Sequence, residues 1–280
     1  MLMNDIRRLS LKPSTLIDRG DLMTAELHTL DSGGDGTPLV VIHGLLGSAD
    51  NWRSHIKQWQ RRHRVVALDL RNHGQSPHLE GMAYQAMAED VLAALDRLEI
   101  ARCHLLGHSM GGKVAMSLAR LAPERVASLI IADIAPVTYG HGHDEIFKAL
   151  RHVEASAPAN RREVDALMTE HIGEKAIRLF LATNLERDEA GGMRWRIGLD
   201  HIEAGYEDIR GEPAGQGAFE GPSLLLRGGR SNYVTDELLP AVKEVLPAAQ
   251  IATLDAGHWL HAEQPTAFQR SVTEFIESLD

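Results

Sequence analysis

Cysteine is all but missing from this chain: Cys103 stands alone among 280 residues, so no disulfide can form within it. It lies in an apolar run and reads as a small buried hydrophobe. Positive charge is also scarce, with 29 Lys and Arg against 39 Asp and Glu and a net charge of −10. Nucleic acids and anionic membrane surfaces favour basic patches, so neither is expected as a partner. No apolar run approaches the roughly 20 residues that a membrane span needs. The N-terminal stretch MLMNDIRRLSLKPSTLIDRG lacks the apolar segment and small-residue cleavage site of a signal peptide. Arg7 and Arg8 suit an organelle targeting sequence, but Asp5 and Asp18 weaken that reading. A cytoplasmic location is the default. Internal repeats and low-complexity tracts are absent too. What remains is ordinary for a soluble globular protein: 44% hydrophobic residues, in a length that suits one large α/β domain, with or without an inserted subdomain.

The most informative stretch is CHLLGHSMGGKVAMSLARLA, from Cys103 to Ala122. A short apolar run ends at Gly107-His108-Ser109-Met110-Gly111, and a helical pattern starts at once, with Met110, Val114, Leu118 and Leu121 in register. A G-x-S-x-G motif between a predicted strand and a predicted helix holds its serine on a tight, strained turn and projects the hydroxyl above the sheet edge. The N–H groups and dipole at the start of the following helix favour a developing anion beside it. Ser109 is therefore read as a nucleophile, against the plainer alternative of a surface serine in a glycine-rich turn.

Around this motif, strand and helix patterns alternate. Residues 22–30 alternate loosely and read as a first strand, followed by the continuous apolar runs 38–42, 64–69 and 125–132. Helical patterns cover about 51–61 and 82–98, and the alternation implies a parallel sheet wrapped by helices. The run 38–42 opens into His43-Gly44-Leu45-Leu46-Gly47-Ser48, whose glycines let the backbone turn N–H groups inward. Leu45 could then supply a second donor to an oxyanion, although an ordinary strand-to-helix turn explains the same residues. His43 reads as a structural histidine. His73 with Asp69 lacks further metal ligands at suitable spacing.

After Pro136 the pattern changes. From about Asp144 to Arg210 only helical segments are read, forming an insertion between two strands whose apolar stripes close over something. Its apolar residues Phe147, Leu150 and Phe180 are expected to govern substrate range. His141, His143 and His152 build no recognisable ligand set and are read as solvated loop histidines, so no metal site is expected. Strands return at 222–227 and 250–254, and a C-terminal helix packs Phe268, Val272, Phe275 and Ile276.

Four pieces thus occur in order: HGLLGS at 43–48, DLRNHGQS at 69–76, GHSMGGK at 107–113 and DAGHW at 255–259. With them the chain resembles the α/β-hydrolase superfamily from about residue 20 to the end. Within it, RNHG, GHSMGGK, DIAPV, HDEIF and GHWLHAE resemble the bacterial YbfF-type esterases, whose relatives include mitochondrial abhydrolase-domain proteins. The resemblance implies a mostly parallel central sheet flanked by helices, with a helical cap inserted between the sixth and seventh strands. The core would comprise 1–136 and 221–280, and the cap 137–220. It also implies a serine hydrolase for short- to medium-chain acyl esters or thioesters, working on small molecules without a cofactor.

Residue by residue, the resemblance makes Ser109 the nucleophile and His258, in its glycine-flanked loop after the last strand, the base. The N–H groups of Leu45 and Met110 become the oxyanion hole. Leu46, next to Leu45, and Trp259, next to His258, are assigned to the substrate pocket. The acid departs from the commonest pattern, because Gly228-Gly229-Arg230-Ser231-Asn232-Tyr233 contains no carboxylate. Asp236 reads as a helix N-terminal residue and Asp255 as a loop residue. The resemblance to the YbfF group instead implies Asp133, with Ser231 and His108 as auxiliary polar groups. Carbon–carbon hydrolysis, haloperoxidase chemistry and a non-enzymatic ligand receptor also occur on this fold. With Ser109 and His258 intact, ester hydrolysis is the simplest account.

Overall fold

The computed structural model describes residues 24–279; the N-terminal readings that involve Arg7 and Arg8 fall outside them. In chain order the first part contains β1 (Thr29–Asp31), β2 (Leu39–Ile42), α1 (Arg53–Trp59), β3 (Val65–Leu68), α2 (Tyr84–Arg97), β4 (Cys103–His108), α3 (Met110–Leu121) and β5 (Val126–Ala132). An insertion follows, with α4 (Asp144–Ser156), α5 (Arg161–Thr169), α6 (Lys175–Leu181), β6 (Leu185–Arg187), β7 (Met193–Trp195), α7 (Leu199–Ala204) and α8 (Tyr206–Arg210). The chain then returns through β8 (Ser223–Gly228), α9 (Leu239–Val245), β9 (Ala249–Leu254), α10 (Leu260–Glu263) and α11 (Pro265–Glu277).

Seven strands form the main sheet in the order β1-β3-β2-β4-β5-β8-β9. Only β1 runs antiparallel to its neighbour. The continuous apolar runs follow from burial on both faces, with side chains alternating between them. Val40 and Ile42 pack with Met87 and Val91 of α2 and Val114 of α3. Leu39 and Val41 point the other way, to Trp52, Trp59 and the α11 residues Phe268 and Val272. The sheet is thus sandwiched between two helical layers. Among the described residues the insertion leaves after the fifth strand of this sheet and returns at the sixth, one fewer than the resemblance's numbering.

Two expectations need correction. The first strand is short: the described part of the alternating segment enters the ladder only at Thr29–Asp31. The insertion is not wholly helical, because β6 and β7 pair as an antiparallel hairpin. Burial alternates only in β7, with Met193 and Trp195 buried and Arg194 exposed, while β6 runs from buried Leu185 to exposed Arg187, so three-residue strands carry no recognisable period. Its turn uses Gly191 at φ 87°. The last helical stretch before Arg210 is divided at Gly205 into α7 and α8, and a β-carbon there would come within 2.6 Å of Met82.

One buried side chain ties the insertion to the sheet. Lys113 of α3 donates to the carbonyls of Val137 (2.7 Å), Arg210 (3.2 Å) and Gly211. Val137 lies on the outgoing connection and Arg210–Gly211 on the returning one, so the three ammonium protons bridge both. Burial pushes this ammonium down to about 7, partly opposed by the charge of Glu212. Its Nζ also sits 4.7 Å from the centre of the Tyr139 ring.

Histidines are unusually common in the interior. Burial pushes His55 down to about 4, and His73 and His261 to about 3, while His108 falls well below its ordinary value. Buried neutral imidazoles bind a proton only on unfolding, so their contribution is intact above the unfolded value of about 6.5 and is lost as pH falls below it.

Two outcomes are expected. Lys113→Met leaves buried carbonyls without donors and should cost about 2 kcal/mol in urea unfolding. A wild-type midpoint would show that the insertion is held without it. For the histidines, unfolding free energy should fall between about pH 6.5 and pH 4, by about 1.4 kcal/mol per pH unit for each group that takes up a proton. A midpoint flat across that range would contradict the neutral burial of these rings.

Candidate active site

The turn from β4 into α3 puts Ser109 at φ 53° and ψ −122°, a conformation that side-chain-bearing residues avoid. The flanking glycines are required by close approach. A β-carbon on Gly107 would lie 2.1 Å from the Gly111 carbonyl oxygen, and one on Gly111 would lie 2.4 Å from that of His43. Ser109 N–H donates to the Ala132 carbonyl at 3.0 Å, which moors the turn to the end of β5. Met110 opens α3, so its N–H has no partner within the helix.

The loop after β2 is pressed against this turn: a β-carbon on Gly44 would meet the Ser109 β-carbon at 3.2 Å. Two buried histidines set its shape. His43 Nδ1 donates to the Gly44 carbonyl at 2.8 Å, while its Nε2 accepts from Leu70 N–H at 3.0 Å. His73 Nδ1 donates to the Arg71 carbonyl at 2.9 Å, and its Nε2 accepts from Leu46 N–H at 3.1 Å. Each ring therefore holds one tautomer, and burial favours its neutral form. The RNHG motif belongs to the same scaffold. Arg71 forms a forked pair with buried Asp90 at 2.6 and 2.8 Å, and Asp69 accepts from Ala49 and Gln75 N–H groups.

Asp133 follows β5 directly, is fully buried and has φ 53°. Its Oδ1 accepts from Gly228 N–H at 2.8 Å. Its Oδ2 accepts from the Ser231 hydroxyl and from His258 Nδ1, the latter at 2.8 Å. His258 Nε2 lies 3.0 Å from Ser109 Oγ. The three side chains thus form one continuous relay. Tyr233 stacks on the His258 ring at 3.9 Å, and His108 Nε2 donates to the His258 carbonyl at 2.9 Å. His108 is pushed far down by burial, so it acts as a neutral donor. The loop carrying His258 is latched by Arg230, which pairs with Asp255 and Glu263, and by Gly257 N–H donating to Glu263 at 2.8 Å. Asp255 is thus engaged elsewhere. Asp236 is exposed and paired with Arg227 at 2.5 Å.

A cavity of about 310 Å³ opens over Ser109, with Leu45 and Met110 in its wall. The two expected pocket residues do not line it. Leu46, at φ 59°, turns its side chain into the core and is 2% exposed. Trp259 instead packs against Phe180 of the insertion, ring centres 5.5 Å apart. Phe147 and Leu150 are buried within the insertion and do not face the cavity. The wall is built instead from residues that the sequence does not mark as pocket residues: Tyr84, Tyr139, Tyr206, Tyr233, Lys113 and His143. Four tyrosines are all the chain has, and all four meet here. Their rarity and their placement in four separated segments was the available signal. Several hydroxyls are already engaged: Tyr84 donates to the Ile209 carbonyl, Tyr139 to that of Tyr233, and Tyr206 bonds His143 Nδ1 at 2.8 Å. His143 is accordingly not a solvated loop residue; burial pushes it down to about 4.

Comparison with known proteins agrees with this architecture. Residues 37–265 match the family described as the alpha/beta hydrolase fold. The chain is 38% identical to the sn-1-specific diacylglycerol lipase ABHD11 of Danio rerio, over 88% of this chain and 80% of that one. It is 35% identical to esterase YbfF of Escherichia coli K12, over 89% of this chain and 96% of that one. A solved structure, a marine microorganism esterase, superposes with a TM-score of 0.87 at 38% identity, covering 90% of this chain and all of its own. No helix among the described residues is long and apolar enough to cross a membrane. From sheet, site and relatives together, the chain belongs to the α/β-hydrolase fold family, among its carboxylic ester hydrolases.

Proposed function

We propose that the protein is a serine carboxylesterase acting on short- to medium-chain acyl esters or thioesters through an acyl-enzyme on Ser109. One observation carries the reading: the unbroken relay from Ser109 Oγ through His258 to buried Asp133, at 3.0 and 2.8 Å. A serine hydroxyl is a weak nucleophile until a base takes its proton. His258 Nε2 is within reach to do so as Oγ attacks the substrate carbonyl. Asp133 holds Nδ1–H, which fixes the tautomer and stabilises the imidazolium that forms. The oxyanion of the tetrahedral intermediate is received by the N–H groups of Leu45 and Met110, each such donor being worth about 3 kcal/mol in hydrolases. His258 then protonates the leaving alcohol or thiol. Water, activated by the same ring, releases the acid and regenerates Ser109.

Substrate size is argued from the cavity. Its volume of about 310 Å³ sits at the small end of ligand sites, roughly 300–1,000 Å³. The tyrosine faces suit an apolar group. Relatives named diacylglycerol lipase make acylglycerols a natural part of the substrate panel. The core would comprise 1–136 and 221–280, with 137–220 as the cap over the site.

The test joins labelling to hydrolysis. A fluorophosphonate probe should modify Ser109, identified by peptide mass spectrometry, and Ser109→Ala should abolish both labelling and cleavage of p-nitrophenyl esters. Labelling at another serine, or full turnover in Ser109→Ala, would overturn the reading. The acid is tested separately. Asp133→Asn should lower turnover by about 10⁴ with circular dichroism unchanged, the cost seen when a triad imidazole adopts the wrong tautomer. Ser231→Ala should lose less, and Asp236→Asn and Asp255→Asn little. Collapse in Asp236→Asn with activity kept in Asp133→Asn would move the acid to the loop after β8.

A further inference from the structure

At the solvent edge of the insertion, three side chains with no part in the proposed chemistry converge. His152 projects from α4, and Glu170 and His171 follow the end of α5. His152 Nδ1 and His171 Nε2 are 3.2 Å apart. Glu170 Oε2 lies 3.7 Å from the same His152 nitrogen. One ligand atom from each residue falls within 4.8 Å of the others.

These separations have a chemical meaning. Around a tetrahedral ion with bonds of about 2.0–2.1 Å, neighbouring ligand atoms are about 3.3 Å apart. The two imidazole nitrogens already stand at that spacing, and the carboxylate oxygen is 3.7 Å from one of them. The backbone beneath is fixed. Leu150 and Val153 flank His152 in α4 and are fully buried, as is Met168 of α5. His171 and Ile172 N–H groups donate to the Met168 carbonyl at 3.1 and 2.9 Å. A further carboxylate, Glu145 Oε2, lies 3.9 Å from His171 Nδ1, the ring nitrogen turned away from His152. A carboxylate that closes to hydrogen-bond distance of that far nitrogen orients a metal-bound histidine. The side chains are 34% (His152), 27% (His171) and 62% (Glu170) exposed, so an ion can enter from solvent.

We infer that His152, His171 and Glu170 form a binding site for a zinc-class transition-metal ion, linking α4 to the end of α5. Two imidazoles and one carboxylate suit Zn²⁺, Co²⁺ or Ni²⁺ and disfavour Mg²⁺ and Ca²⁺, which take oxygen ligands. Both facing nitrogens must present lone pairs, so the hydrogen between the rings moves to the far nitrogen of its own ring. On His171 that nitrogen faces Glu145. The fourth position is left to water. The bound ion clamps two insertion helices and takes no part in ester cleavage.

The experiment titrates ZnCl₂ by calorimetry into protein stripped with a chelator and dialysed. One ion per chain should bind, and zinc should raise the melting temperature. His152→Ala/His171→Ala should lose the site, with affinity down at least ~10-fold, and zinc should no longer raise its melting point. The single variants His152→Asn and His171→Asn give the same reading if the double variant does not fold. Glu170→Gln should weaken binding with a smaller loss. Ester turnover, measured in parallel, should be the same in all variants and after chelation, so that this result and the esterase assignment stand or fall separately. Absence of saturable one-to-one binding, or wild-type affinity in the histidine variants, would overturn the inference.

Discussion

Three backbone segments meet around Ser109 more closely than β-carbons would allow, and that crowding organises the molecule. The end of β2 presses on Gly111, the start of α3 on Gly107, and the loop after β2 on Ser109 itself. Any widening of this junction would separate Leu45 from Met110 and relax the turn that raises the hydroxyl. The sheet supplies the compression. β4 is central and buried along its whole length, hydrogen-bonded on either side to β2 and β5. The strain at Ser109 is therefore held by the most rigid part of the fold, as strained functional residues require. Asp133, the other positive-φ residue of the relay, is held in the same way at the end of the neighbouring strand.

How much of this could be read from residues alone depends on how local each cause is. Ser109 and its turn were legible because the motif, the strand before it and the helix after it are contiguous. The parallel sheet was legible because burial on both faces leaves unbroken apolar runs such as Leu39–Ile42. Asp133 was not legible from spacing, since nothing local separates it from Asp236 or Asp255; the family resemblance singled it out. Distance explains the ambiguity: its partners are Gly228, Ser231 and His258, each roughly a hundred residues away. The cavity wall was missed for the same reason. Leu46 and Trp259 adjoin site residues in sequence, yet a positive φ turns one inward and Phe180 of the insertion covers the other. Phe147 and Leu150 show the converse: an apolar helical stripe marks burial without saying whether against a ligand or a core.

The histidines divide along a similar line. His43 and His73 hold the loop after β2 through fixed neutral tautomers, and His108 supports the carbonyl of His258 without adding a charge beside it. Burial enforces that neutrality, so no charged imidazole stands against the His258 ring. His152 and His171 differ in being open to water. They come together only because α4 packs against α5, a relation that a 19-residue separation does not reveal.

The concentration of every tyrosine on one cavity has a practical consequence. The four tryptophans, Trp52, Trp59, Trp195 and Trp259, lie outside that wall. Tyrosine-specific isotopic labelling would thus place every labelled ring on the wall of this cavity, one of them stacked on His258. Ligand occupancy, insertion movement and protonation of the relay would then be observable in a four-residue spectrum without any engineered probe.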